Sequence, residues 1–329
     1  MFNTIKTFFN TSTRQLYLTS GLTFLLLTRM LTMALIPLND TTEARYAEIA
    51  RKMLETGNWV TPLHDYGVPF WAKPPLSTWL SAFSMKLFGV NEFAVRLPSL
   101  FLSLAVLGLI WRMAKNQVDE VARNAVLVLS TCAFFLLNAG TVMTDPSLVF
   151  CITLSMAGFW LALSENSRLW GYMFFVGLGL GLLAKGPIAI VLTGIPIFAW
   201  VLLRNQWRAL WNKLPWIIGT LLMLAIALPW YWLAEQRTPG FLNYFIVGEH
   251  LHRFLEPSWQ GDKYGFAHVT KPGMIWLYAI AGVMPWTPSV LICSILYASK
   301  LPALCRDDRG WMSYLLLFAL LPLVFFTFA

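Results

Sequence analysis

An all-α membrane bundle of about nine spanning helices is the fold this sequence predicts, on three observations. Of 329 residues 57% are hydrophobic, with 24 Phe, 16 Trp and 10 Tyr, more apolar and aromatic surface than one soluble core can bury. Several apolar runs reach the roughly 20 residues that a spanning helix needs. Only 12% of the residues are charged, and they gather between those runs. Lipid offers the backbone no hydrogen bonds, so the spanning elements must be helices.

Taken in order, the spans fall near 16–37, 93–112, 121–139, 146–164, 169–184, 187–203, 214–233, 272–297 and 312–329. The first follows Lys6 and Arg14 and has no small-residue cleavage site, so it reads as a retained span and not as a cleaved signal peptide. The pair within 169–203 is short and punctuated by Gly and Pro. No repeat or low-complexity linker interrupts the chain, which reads as one membrane domain over 1–329. Its end inside an apolar run, Phe325-Phe326-Thr327-Phe328-Ala329, suggests truncation before further spans.

Two long loops separate these runs, 38–92 and 234–271. In the first, Asp40 suits an N-cap with Glu43 at the third helical position. Tyr46, Ile49, Ala50, Met53 and Leu54 then recur at helical spacing, opposite Arg45, Glu48, Lys52 and Glu55, until Gly57. An amphipathic helix of that composition lies at a membrane interface and does not cross it. Segment 77–89 reads as a second interfacial helix.

The compact basic loops 111–123, 204–213 and 299–310, with the turn at Arg168, fall on one side, which the positive-inside tendency makes cytoplasmic along with the N-terminus. The opposite side then collects Asp40, Glu43, Lys73, Asp145, Lys185, Glu249, His250 and Arg253. Inverting the protein changes their compartment but keeps them together. An intramembrane or rim cluster of ionisable residues is expensive to keep and marks function.

Each member also has a plain structural reading. Asp40, Glu43 and Asp145 suit helix caps, and Lys73 and Lys185 suit anchors that snorkel at helix ends. Arg29, inside the first span, either snorkels or pairs with a carboxylate. His250 and Arg253 stand at i, i+3 and would share a helical face. Metal binding (with Glu249, His252 or His268 as further ligands), anion binding and interface anchoring all stay open for that pair. The four cysteines lack metal spacing and read as packing residues. The net charge of +8 is divided among loops, which argues against nucleic acid. GLGLGLLAKG (177–186) lies within an apolar run and reads as close helix packing, not as a nucleotide loop.

At TTEARYAEIARKM, WAKPPLSTW, TDPS, AKGP and VGEHLHRF, in order from about residue 16 onward, the sequence resembles the GT-C membrane glycosyltransferases related to protein O-mannosyltransferases. Within them it is most similar to the bacterial lipid A aminoarabinose transferase group. The resemblance implies a multi-pass inner-membrane enzyme with interfacial helices in its first periplasmic loop. It implies sugar transfer from a polyprenyl-phosphate donor of undecaprenyl type to lipid A, another glycolipid or a protein, on the periplasmic side. Asp40, Glu43 and Asp145 become the candidate catalytic acids, and Lys73, Lys185, Arg253 and His250 the candidate carrier-phosphate ligands. No cofactor is implied beyond a divalent metal, with His250 as its candidate ligand. Two departures stand out: Thr42 occupies the family's first acidic position, and Ala72 replaces the Glu before Lys-Pro, which removes one expected metal ligand. A lipid or sugar transporter or flippase, and a catalytically silent assembly partner, are the competing readings. A transporter would place its ionisable groups near the midplane on paired broken helices, whereas here they gather at one face.

Overall fold

The computed structural model describes residues 11–116, 118–253, 259, 261–264, 271–306 and 310–328. Helix α1 (Thr11–Leu35) leads into the first long loop. That loop holds α2 (Thr41–Thr56), a hairpin of β1 (Leu63–Asp65) and β2 (Val68–Pro69), and α3 (Leu76–Phe88). The bundle continues with α4 (Glu92–Lys115), α5 (Asp119–Thr131), α6 (Ala133–Asn138), α7 (Asp145–Glu165), α8 (Arg168–Lys185) and α9 (Ile188–Arg204). After α10 (Trp207–Lys213) and α11 (Trp216–Arg237) comes a π-helix, Asn243–His252, and then α12 (Met274–Gly282), α13 (Thr287–Tyr297) and α14 (Trp311–Thr327), with short helical turns before α14.

The helical class holds, and the antiparallel hairpin is a small addition to it, turning at Gly67 (φ 77°). Among the described residues three helices, α4, α7 and α11, are long and apolar enough to cross a membrane, and α12 with α13 makes a fourth if the bent pair is one span. Three further apolar helices are shorter: Thr19–Leu35, α9 and α14.

Two expected spans are broken. The run at 272–297 bends by 107° between α12 and α13, and the run at 121–139 breaks at Cys132, whose extended backbone (ψ 131°) separates α5 from α6. The breaks dock on each other. Ala133 N–H donates to Met284 O at 2.8 Å, and the Trp286 indole donates to Thr131 Oγ1 at 2.8 Å. Backbone groups released by a break are costly in lipid unless protein satisfies them; here each break supplies the partner for the other.

The first-loop helix forms as its caps predict. Asp40 Oδ1 accepts from Thr42 N and Glu43 N at 2.8 and 2.9 Å, and Gly57 ends the helix at φ 67°. One face differs from the expected pattern. Lys52, assigned to the polar side, is buried, and its ammonium donates to His64 O at 2.9 Å and Asp65 Oδ1 at 3.1 Å. Length explains this: the lysine stem packs under the hairpin while its tip reaches polar atoms. The apolar face (Ala47, Ala50, Met53) packs on Ala82 and Met85 of α3 and on Ala94 and Val95 of α4. Ser81 and Ser84 of α3 lock that packing by donating to Val95 O and Ala94 O.

Toward the opposite end lies an aromatic core of Phe159, Trp160, Phe174, Trp200 and Tyr314. Glycines let α7 and α8 approach closely: a Cβ at Gly158 would lie 2.5 Å from Phe174 N, and one at Gly177 would lie 2.3 Å from Ser155 Oγ. The glycine-rich run of α8 therefore serves helix packing, as its apolar setting predicts.

Candidate active site

Helix α8 stops at Lys185 because Gly186 adopts φ 84° and Pro187 follows. Glycine is needed there twice over, since a Cβ would also meet Phe245 Cζ at 2.6 Å. Ended in this way, α8 presents Lys185 to Asp145, the first residue of α7, and Nζ donates to Oδ1 at 2.7 Å. Both side chains stay partly open, 29% and 48% exposed.

A second group of charges adjoins the first through His250. Its Nε2 lies 3.2 Å from Lys185 O, and its Nδ1 lies 2.7 Å from Phe245 O. The neighbouring Glu249 is buried, and its Oε2 accepts from Lys73 Nζ at 3.1 Å and Arg253 Nη1 at 3.0 Å. Tyr244 donates to its other oxygen at 3.3 Å, and Asp262 stands 3.8 Å from Arg253. Lys73 is fixed further by its own donation to Ala72 O at 2.8 Å. Burial holds the Lys73 ammonium below the ordinary lysine value, with Glu249 pulling upward and Lys185 and Arg253 downward.

The π-helical winding corrects one expectation. His250 and Arg253 do not work as a pair: Arg253 turns to Glu249, four residues back, while His250 faces backbone carbonyls. A π-turn carries more residues per revolution than an α-turn, so spacing by three no longer aligns side chains.

Tyr46, on the apolar face of α2, also belongs to the site. Burial pushes its phenol up to about 12, and Asp145 and Glu249 act on it in the same direction. The ring packs edge-on against Phe70, 6.0 Å between centroids. Beside it, Tyr264 donates to Pro69 O at 2.7 Å and accepts from Trp71 N at 3.1 Å, closing the second long loop over the first. Lys263 lies 4.3 Å over the Trp71 ring.

Lys73, Asp145, Lys185, His250 and Arg253 thus meet, as their common face predicts. Glu43 does not join them as an available acid. It is buried, and its carboxylate takes two hydrogen bonds from Arg96, at 2.9 and 2.8 Å, and one from Val142 N at 3.1 Å. Arg96 binds Met33 O, Ile36 O and Pro37 O as well. Glu43 therefore ties the exit of α1 and the turn before α7 to α2. Asp40 remains exposed at its cap.

Sequence reasoning missed the anchoring role of Glu249, and it missed Tyr46 and Arg96. Glu249 was legible only as one more charge in VGEHLHRF, and Tyr46 looked like an ordinary apolar-face residue. Arg96, close to the start of an apolar run, carried the signal of an intramembrane charge needing a partner.

The described residues do not form a metal centre. Among the described residues no three His, Cys, Asp or Glu side chains converge. Both His250 nitrogens lie within hydrogen-bond distance of backbone carbonyl oxygens, and Ala72 has no donor. His268 lies outside the described residues.

From Pro187, next to these charges, an apolar groove of ≈ 900 Å³ runs along Leu182, Leu221, Leu228, Tyr231 and Ile246. Charges gathered at one end of a bundle of apolar helices, beside an apolar groove, define a multi-helix membrane protein. The comparisons place it more closely. Residues 19–245 match the family described as dolichyl-phosphate-mannose-protein mannosyltransferase, and the chain belongs to that family. It is 31% identical to the undecaprenyl phosphate-alpha-4-amino-4-deoxy-L-arabinose arabinosyl transferase of Serratia proteamaculans (strain 568), over 90% of this chain and 52% of that protein. Its identity to the protein of that name from Enterobacter sp. (strain 638) is 30%, over 87% of this chain and 50% of the other. The crystal structure of ArnT from Cupriavidus metallidurans bound to undecaprenyl phosphate superposes with a TM-score of 0.82 at 23% identity, covering 97% of this chain and 56% of that one. The apo form gives 0.80 at 24% identity, with the same coverage. That likeness establishes the fold. The chain spans about half the length of the relatives it matches.

Proposed function

We propose that this chain is the membrane catalytic region of a glycosyltransferase that moves a sugar from an undecaprenyl-phosphate-type carrier to a lipid or protein acceptor, lipid A among them. It sits in the inner membrane as one domain of about nine crossings, with its N-terminus cytoplasmic and its site periplasmic. The observation that carries the reading is the set of three cations, Lys73, Lys185 and Arg253, held by Glu249 and Asp145 beside the apolar groove. A polyprenyl phosphate needs a dry channel for its chain and positive charge for its head, and this rim offers both.

In this reading the phosphate takes over the contact that the open Asp145 holds on Lys185, while Lys73 and Arg253 stay on the buried Glu249 and offer it their remaining N–H donors. The acceptor oxygen attacks the anomeric carbon as the bond from that carbon to the phosphate oxygen breaks, and the electron pair leaves with the phosphate. The cations stabilise the charge that develops there, which is usually the largest catalytic contribution. Asp145, released from Lys185, receives the acceptor proton, and Asp40 is the alternative base. Single displacement inverts the anomeric centre. His250 acts by bracing the Lys185 carbonyl.

The test is mass spectrometry of lipid A, other glycolipids and glycoproteins from cells with and without the full-length protein. A missing pentose, aminopentose or hexose increment is the expected result and identifies the sugar. Identical spectra from both cells refute the proposal.

A further inference from the structure

A second charged feature lies away from the site, inside the bundle. Arg29 projects from α1 some two turns below its outer end, where a guanidinium is costly unless an anion meets it. Its Nη2 donates to Leu137 O at 2.8 Å, and its Nε is buried without a partner among the described residues. Glu43, the carboxylate whose charge acts on it, is already held in a two-pronged pair by Arg96. Among the described residues no carboxylate pairs with Arg29, whose one side-chain hydrogen bond goes to a backbone carbonyl. Room for it is built in, since a Cβ at Gly140 would lie 2.9 Å from Arg29 Nη2.

Arg29 lines a cavity of ≈ 250 Å³ whose other walls, Leu22, Leu26, Leu104 and Leu107 among them, are almost wholly apolar. A further cavity of ≈ 500 Å³ shares Leu22, Leu107 and Val126 with it and runs on to Thr19 and Arg123. Together they form one lengthwise groove between α1, α4 and α5. From Thr19 to Arg29 it measures about 15 Å at the α-helical rise, enough for most of an acyl chain.

We propose that this groove holds one acyl chain of an anionic bilayer phospholipid, with the lipid's phosphate on Arg29. An apolar trough closed by an unmatched cation fits an amphiphile of opposite charge. It does not fit a zwitterionic lipid, whose own ammonium would approach the same guanidinium. The site is separate from the carrier groove along α11, and it stands whether or not the proposed transfer is correct.

Native mass spectrometry of the full chain tests this, after equilibration in micelles containing equal amounts of phosphatidylglycerol and phosphatidylcholine. The expected result is one retained phosphatidylglycerol per chain, reduced about tenfold by Arg29→Gln, as loss of one charge-assisted contact implies. Leu22→Trp, which fills the groove and leaves the cation in place, lowers retention likewise, and it decides alone if Arg29→Gln does not fold. Equal retention of the two lipids, undiminished retention in the variants, or displacement by excess inorganic phosphate would overturn the proposal.

Discussion

Lys185 at the end of α8 and Asp145 at the start of α7 form an ion pair of 2.7 Å in which both side chains keep contact with solvent. An open pair of this kind contributes only roughly 0–1 kcal/mol to stability. It can therefore be exchanged for a ligand at small cost, which a buried pair cannot.

The two members should fail differently. Asp145→Asn should abolish transfer and leave carrier binding nearly unchanged. Lys185→Ala should abolish transfer and also weaken carrier binding by roughly tenfold, the loss of a charged hydrogen bond. Binding titrations with polyprenyl phosphate, run beside turnover assays of the full-length protein, separate the two. Near-normal turnover in both variants removes these residues from the mechanism.

Glu43 and Arg96 are the opposite case, a pair 8% and 5% exposed. Replacing Glu43 by Gln strands a buried guanidinium and should cost about 3–5 kcal/mol, whereas Glu43→Leu with Arg96→Met should recover part of it, the Met33, Ile36 and Pro37 carbonyls still losing their donor. Unfolding in detergent measures the loss. Transfer by the folded double variant would confirm that Glu43 is a brace and not an acid.

Lys73 gives a pH dependence with a definite sign. Its depressed value means that the ammonium is lost at a lower pH than for an ordinary lysine. Phosphate binding needs the protonated form, so carrier affinity should fall as pH rises through the alkaline range, sooner than an unperturbed lysine would give. Lys73→Arg stays charged throughout and should flatten the profile. An unchanged slope in that variant would assign the pH effect to another group.

Gly186→Ala tests the turn that aims Lys185. A side chain there combines a left-handed backbone with a clash on Phe245, and such strain costs about 1–3 kcal/mol. The expected outcome is a lower melting temperature together with a raised KM for the carrier, because Lys185 and the His250 brace move together. A variant with normal KM would show that the turn has no part in placing the cation.

Composition and periodicity alone determined much of this protein. Long apolar runs can be satisfied only as helices in lipid, so the class was legible, and so were α2 with its Asp40 and Gly57 caps. Which charges share one rim was legible too, because the loops between spans must fall on alternate sides. Local pattern did not reveal where helices break: the interruptions at Cys132 and at 283–286 depend on hydrogen bonds between segments some 150 residues apart in the chain. Nor did it separate Glu43 from Asp40 and Asp145, the three candidate acids by sequence. Tertiary structure distinguishes their surroundings, bringing Arg96 to Glu43 and leaving Asp145 partly open, since the environment of a carboxylate depends on which distant groups desolvate and bind it. The phase of the π-helix, which turns Arg253 to Glu249 and His250 to the Lys185 carbonyl, was set in the same way, by packing that no single stretch of residues encodes.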